Sequence, residues 1–481
     1  MARKVLISFL GTGSPQKEKD PREYRKATYG FYTGYPDGNW DDIITTPFIA
    51  AALRKHFNIE HQFIIGTVMS MWDVVYSYFN DNGNGSDFDM EIWDNISDFI
   101  HCRLRDPSLP QGHTLGIENF EHKWLDAINN SINGESVLIK YGLSNDEILF
   151  NQERILELSQ KLERGDELYI DLTHGFRSLP MYLMNVLIYL QNVRPDISIK
   201  CVTYGMLDVN REFDGVTPVV ELTSLLEVSQ WITGAYAFQQ FGQGYMIADL
   251  LGQDPASQSE AKLIRRFSDS LNLNDVTNIN NSTSNFIGIN PSRLSPIGSM
   301  TIGPIVKEFR KDFGDVSGAK FLIRLCMWQV NRKNYSAAII TTTEAIKRYV
   351  LELNQEQLDM KLKDNGWHQL QSKQYIELVR TVLAGGRDEL LDSIDFPASE
   401  WDFGNGYVNI SRTLAKIIGI QSEKTNIQVS IKEFLKRYFM KVNNNRNDVA
   451  HLRERGASNT NQDDIINRLT LGIPVLRKII N

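Results

Sequence analysis

Cysteine is scarce: Cys102, Cys201 and Cys326 are the only three in 481 residues, far apart and odd in number. That excludes a disulfide framework and a thiolate zinc cluster, and it fits a reducing cytoplasm. Long apolar runs are also missing. No stretch approaches the ~20 residues that a membrane span needs. The run Val5 to Leu10 that follows the charged start is too short, and too soon ended by Gly11, for a signal peptide. Positive charge is in deficit, with 51 Lys+Arg against 59 Asp+Glu for a net charge of −8. A protein that coats polyanions with its whole surface is thereby excluded, and any nucleic-acid contact must be local. There is no internal repeat and no low-complexity tract of consequence. What remains is ordinary for a soluble globular chain, 42% hydrophobic and 23% charged. At ~150 residues per domain the length predicts about three domains, or two large ones.

The first 225 residues alternate short β-rich apolar runs with helical spacing. Val5 to Leu10 reads as a strand buried on both faces and stops at Gly11-Thr12-Gly13. Phe63-Ile64-Ile65 does the same before Gly66-Thr67, and Met71, Trp72, Val74, Val75, Tyr78 and Phe79 then take helical spacing. Val137 to Ile139, Leu168 to Ile170, Ile197 to Val202 and Val219 to Leu222 add further strands, and Pro180 opens an apolar helix. This pattern predicts an open, mostly parallel α/β sheet of the Rossmann-like kind. Residues 226–304 read as a helical and Asn-rich connecting region, with Asn272 to Asn285 as a loop. From Ile305 onward the periodicity is helical and predicts an all-α domain over 305–481, interrupted by a Gly- and Asp-rich surface insertion near 385–407.

Ligands of open α/β sheets bind beyond the carboxyl ends of the strands. Three such loops are polar here: Gly11-Thr12-Gly13, Gly66-Thr67 with Ser70, and Thr173-His174-Gly175-Phe176-Arg177-Ser178. Together they offer backbone N–H groups, hydroxyls and a cation to a phosphate-bearing ligand. Neither G-x-G-x-x-G nor G-x-x-x-x-G-K-[ST] occurs, which argues against dinucleotide or P-loop chemistry. On spacing alone a loop cap for His174 and a surface ion pair for Arg177 are the commoner readings. A second constellation is Asn443-Asn444-Asn445-Arg446-Asn447-Asp448-Val449-Ala450-His451. The three asparagines predict a break, with a new helix capped by Asn447 or Asp448. Residues 426–455 hold seven Lys/Arg against three acidic residues, the one patch suited to a polyanion. Histidine moves protons near neutral pH and arginine grips phosphate bidentately, the pair that metal-free phosphodiester cleavage needs. Alone, R-x4-H is far more often a helix-start histidine beside a solvated basic face. Glu121-x-Lys123 lacks an upstream acidic partner for a metal nuclease, no carboxylate or thiol cluster marks a metal site, and no G-x-S-x-G elbow is present.

Together these segments resemble a known family. Ser8-Phe9-Leu10-Gly11-Thr12-Gly13, Gly66-Thr67-x-x-Ser70-Met71-Trp72-Asp73 and Asp171-Leu172-Thr173-His174-Gly175-Phe176-Arg177-Ser178-Leu179-Pro180 resemble the CARF domains of CRISPR-associated proteins from type III systems. Arg446-Asn447-x-x-x-His451 matches the R-x4-6-H signature of HEPN ribonucleases. The resemblance implies a CARF sensor over 1–225 and a HEPN ribonuclease over 305–481. It also implies a homodimer, or a multiple of dimers, that binds a cyclic oligoadenylate, cyclic tetra-adenylate by preference, and then cleaves single-stranded RNA without a metal. Gly11, Thr12, Gly13, Thr67, Ser70, Thr173, His174, Gly175 and Arg177 carry over as ligand-binding positions, and Arg446, Asn447 and His451 as catalytic ones. The competing expectations are a CARF sensor without nuclease function and a ring nuclease that destroys its own activator.

Overall fold

The computed structural model describes residues 2–13, 24–32, 39–106, 108–174, 179–276, 278–367, 370–394, 396, 399–450 and 462–481. Contacts divide the chain into two units, Met1–Ser229 and Gln230–Asn481. No helix among the described residues is long and apolar enough to cross a membrane.

The first unit holds eight strands: β1 (Lys4–Leu10), β2 (Ala27–Tyr32), β3 (Trp40–Thr46), β4 (His61–Gly66), β5 (Gly134–Leu138), β6 (Glu167–Asp171), β7 (Ser198–Gly205) and β8 (Val216–Glu221). They form one sheet in the order β3-β2-β8-β7-β6-β1-β4-β5. The five strands from β7 to β5 are mutually parallel, and the antiparallel pairings are β7 with β8 and β2 with β3. Helices α1 (Ile49–Phe57), α2 (Trp72–Phe79), α3 (Met90–Arg105), α4 (His122–Ile132), α5 (Asn145–Lys161) and α6 (Leu179–Val193) complete it. Along β1, Leu6 and Leu10 enter one apolar core while Val5, Ile7 and Phe9 enter another. A strand covered on both faces needs that unbroken apolar run. Strands β2 and β3 escape sequence reading because β3, a sheet edge, carries Asp41 and Asp42, charges that protect an edge from pairing.

The second unit begins within α7 (Ser224–Phe241), which leads into α8 (Tyr245–Gly252), α9 (Gln258–Asn272), α10 (Ile279–Ile287), α11 (Pro296–Phe313), α12 (Gly318–Asn331), α13 (Tyr335–Asp364), α14 (Ser372–Leu383) and α15 (Glu389–Ser393). Then come β9 (Tyr407–Ser411), α16 (Arg412–Ile417), β10 (Asn426–Ser430), α17 (Ile431–Ala450) and α18 (Gln462–Ile480).

Four expectations change here. The Asn-rich stretch is not a plain loop: α10 forms because Ile279, Thr283 and Phe286 share a buried helical face. Phe286 stacks on Phe267 at 4.8 Å between ring centres, and packing of this kind outweighs the poor helix propensity of asparagine. From Trp231 to Ile302 this helical region contributes apolar side chains to the same core as the later helices. The 385–407 segment is not a surface insertion either. Phe396, Trp401 and Phe403 are buried in that core, and the fully buried Asn354 amide on α13 clamps the Asp402 backbone, donating to its carbonyl at 2.8 Å and accepting from its N–H at 2.6 Å. The unit is helical but not all-α, because β9 and β10 pair as an antiparallel ribbon. Finally, α17 runs unbroken through Asn443 to Asn445. Asn445 is buried and accepts a hydrogen bond from the buried Arg468 guanidinium of α18, so tertiary contact carries the helix past the predicted break.

Candidate functional site

Strand β1 has β4 on one side and β6 on the other. After the β2–β3 excursion to the far edge, the chain adds β4 and β5 on one side of β1 and then β6 and β7 on the other, so the β1–β6 boundary is the switch point where open sheets leave a crevice. Gly11 to Gly13 follow β1, and Thr173 and His174 follow β6. A Cβ placed on Gly11 lies 3.8 Å from the His174 Cβ, so the two loops face each other across that crevice. Gly13 has φ +69°, and a Cβ there would meet the Tyr24 ring at 2.5 Å and the Met71 sulfur at 2.9 Å, which requires glycine.

A buried carboxylate organises the rim. Asp171, fully buried at the end of β6, accepts from the Ser8 hydroxyl at 2.7 Å and from the Thr173 hydroxyl at 2.5 Å and N–H at 3.1 Å. Burial pushes the Asp171 carboxyl up, against the opposing pull of Thr173, His174 and Ser8. Burial pushes the His174 imidazole down while the Asp171 charge opposes it. His174 Nε2 is buried and has no hydrogen-bond partner among the described residues, an orphaned polar atom of the kind that calls for a partner.

The loop after β4 behaves differently. The Ser70 hydroxyl donates to the Leu10 carbonyl at 2.8 Å and accepts from the Thr67 N–H at 3.0 Å, while the Trp72 indole donates to the Thr67 carbonyl at 2.7 Å. Thr67 and Ser70 are buried, so they fix the β1 and β4 loops to each other and expose little to a ligand. Beside Thr67 a small cleft, little larger than a water molecule, is lined by His113, Lys140, Tyr141 and Glu147. Lys140 and Tyr141 follow β5 and were missed in the sequence, although the strand-end rule that singled out the other three loops applies to them equally. Gly175 and Arg177 lie outside the described residues. Glu121 and Lys123 pair with each other at 3.1 Å at an exposed position, an ordinary surface contact.

In the second unit Arg446 and Asn447 lie in the last turns of α17, and His451 falls outside the described residues. Earlier turns of α17 bury Phe434, Leu435, Tyr438, Phe439 and Val442, which fixes the helix rotation; Arg446, four residues after Val442, continues the edge of that stripe where it is partly exposed. Arg446 Nη2 lies 3.8 Å from Glu344 Oε1 of α13, beyond hydrogen-bond length. Glu344 also accepts from the buried Lys347 ammonium at 2.5 Å. The described residues contain no group of three His, Cys, Asp or Glu able to hold a metal ion.

Residues 5–207 match the family model described as CRISPR system endoribonuclease Csx1, CARF domain. The first unit is thus similar to the CARF domain of CRISPR-associated proteins. Residues 227–318 match a further model, CRISPR-associated protein MJ1674, second domain, which begins close to the boundary between the two units. The chain is 30% identical over 364 residues to CRISPR-associated protein MJ1674 of Methanocaldococcus jannaschii, covering 73% of this chain and 54% of that protein. It thus spans about half the length of the curated relative it matches. Among solved structures, Enterococcus italicus Csm6 bound to cyclic hexa-2'-fluoro-hexa-dAMP aligns with 12% identity and a TM-score of 0.38, over 100% of this chain and 94% of that one.

Proposed function

We propose that this chain is a metal-independent CARF-family endoribonuclease of type III CRISPR antiviral defence, activated by a cyclic oligoadenylate and cleaving single-stranded RNA. The observation that carries the reading is the meeting of the Gly11–Gly13 and Thr173–His174 loops at the switch point of a sheet that matches a CARF model. Backbone N–H groups at Gly11 to Gly13, the free edge of His174 and the Arg177 cation suit a ligand that combines phosphates with nucleobases. A homodimer presents each loop twice around a cyclic ligand, and cyclic tetra-adenylate is the activator of choice.

The helical unit supplies the chemistry. The RNA 2′-oxygen attacks the adjacent phosphorus and the P–O5′ bond breaks, leaving a 2′,3′-cyclic phosphate and a 5′-hydroxyl. His451 moves the proton, Arg446 steadies charge on the phosphoryl oxygens and Asn447 orients them. The deciding experiment incubates the full chain with end-labelled single-stranded RNA in excess EDTA, with and without cyclic tetra-adenylate. Cleavage that appears with the activator and survives the chelator is expected. Cleavage that needs magnesium refutes the metal-free mechanism, and loss of the activator with intact RNA supports a ring nuclease, a reading favoured by the unpartnered His174 Nε2 beside the crevice.

A further inference from the structure

Lysine ordinarily keeps its ammonium in water. Lys347 on α13 does not, with 4% of its surface exposed. Its Nζ donates to Glu344 Oε1, one helical turn earlier, at 2.5 Å, and the same oxygen faces Arg446 Nη2 at 3.8 Å. One carboxylate therefore stands between two cations, bonded to the first and only near the second. Desolvating an ammonium costs several kcal/mol, and apolar side chains of similar volume often serve stability as well or better, so stability alone does not explain this lysine. Its surroundings explain it in terms of charge. Glu344 and Arg446 alone form a neutral pair, which holds little attraction for a phosphate. With Lys347 the three groups carry one net positive charge, and the Glu344 oxygen nearest Arg446 is already engaged.

We propose that Lys347 is a positioning residue for RNA cleavage: by holding Glu344 it prevents that carboxylate from closing on Arg446 and leaves the guanidinium free to receive the RNA phosphate. The inference rests on the ribonuclease reading of Arg446 given above. Burial pushes the Lys347 amine down, the adjacent Glu344 charge opposes this, Arg446 on α17 adds to the lowering and Glu377 on α14 opposes it. Lys347 thus loses its proton before an exposed lysine does. Once it does so, Glu344 is released to pair with Arg446.

The test uses the full chain with saturating activator and steady-state kinetics on single-stranded RNA. Lys347→Met should raise KM about tenfold, the loss of one charge-assisted contact, with a smaller effect on kcat. The double variant Glu344→Gln/Lys347→Met should bring KM back toward the wild-type value, which a merely structural lysine would not do. The wild-type KM should also climb as pH rises from neutrality toward the ordinary lysine range, and Glu344→Gln should lack that climb. Wild-type KM in Lys347→Met, or a double variant no better than Lys347→Met, overturns the proposal. If Lys347→Met does not fold, the Glu344→Gln profile decides alone, and an alkaline climb equal to wild type overturns it. Undiminished cleavage by Arg446→Ala has a different meaning: it refutes the ribonuclease reading itself.

Discussion

Ser8 on β1 and Asp171 on β6 stand opposite each other in register, and the serine hydroxyl donates to the buried carboxylate at 2.7 Å. The other carboxylate oxygen takes both donors of Thr173, whose hydroxyl in turn accepts from the Gly205 N–H of β7 at 2.7 Å. One side chain thus ties the carboxyl ends of three neighbouring strands into a rim. Asp171→Ala strands those buried donors, a loss of ~2–4 kcal/mol. We expect a lower thermal midpoint together with a higher activator concentration for half-maximal RNA cleavage. An unchanged midpoint would mean that the rim does not depend on this carboxylate.

The pH dependence of stability follows from His174. Burial holds its folded-state pKa below the ordinary 6.5, so its stabilising contribution is complete above 6.5 and is lost as pH falls through the folded value. Asp171, pushed up by burial, acts in the opposite sense, because its protonated form is favoured in the folded state. His174→Gln removes the first effect and keeps the second. Thermal midpoints measured across this range should therefore fall more steeply on acidification for wild type than for the variant. Parallel curves would show that His174 is not the titrating group.

Much of this was legible in the sequence, for reasons that particular residues make plain. Val5 to Leu10 feeds two cores at once, and only an unbroken apolar run can do so. The loops after β1 and β6 were identifiable because strand-end position and polar composition coincide there. The contacts that Thr67 and Ser70 make to neighbouring backbone were not, since a hydroxyl that faces a ligand and one that ties two backbones together read identically. The helix through Asn443 to Asn445 was hidden for a related reason. Its support comes from Arg468, far along the chain, and local propensity carries no record of it. Phe286, Trp401 and Phe403 mark the same limit: apolar residues within polar stretches, whose burial depends on partners elsewhere.

Gly472 of α18 tests the seat of α17. A Cβ at this position would lie 2.2 Å from Tyr438 Cε2, and the Tyr438 ring cannot retreat because it is fully buried with its hydroxyl donating to the Arg468 carbonyl at 2.9 Å. Gly472→Ala should cost ~1–3 kcal/mol by overpacking, read as a lower denaturant midpoint. A neutral result would mean that the two helices can separate at little cost.

Arg446→Ala and His451→Ala should each lower the RNA cleavage rate by ~10²–10⁴-fold, the usual loss when a proton-transfer or charge-stabilising group is removed. Arg446 is partly exposed and lies outside the core of α17, so its removal should leave the thermal midpoint near wild type. A variant that unfolds, or one that turns over normally, assigns this segment a structural role instead.

The last expectation concerns coupling between sensing and cleavage. A ligand shifts an equilibrium only by its difference in affinity for the two states, so weaker contacts at the crevice must weaken activation. Arg177→Ala removes a cation suited to a phosphate, a charge-assisted contact of ~1.5–3 kcal/mol, which corresponds to a roughly ten- to hundredfold higher activator requirement. Thr173→Ala should act in the same direction more weakly, because its hydroxyl is already engaged by Asp171 and Gly205 and contributes mainly by shaping the loop. Both variants should move the activation curve along the concentration axis, whereas Arg446→Ala lowers its plateau. Titration of cyclic tetra-adenylate against RNA cleavage separates these shapes. If Arg177→Ala gives a curve superimposable on wild type, the activator does not use the crevice between β1 and β6.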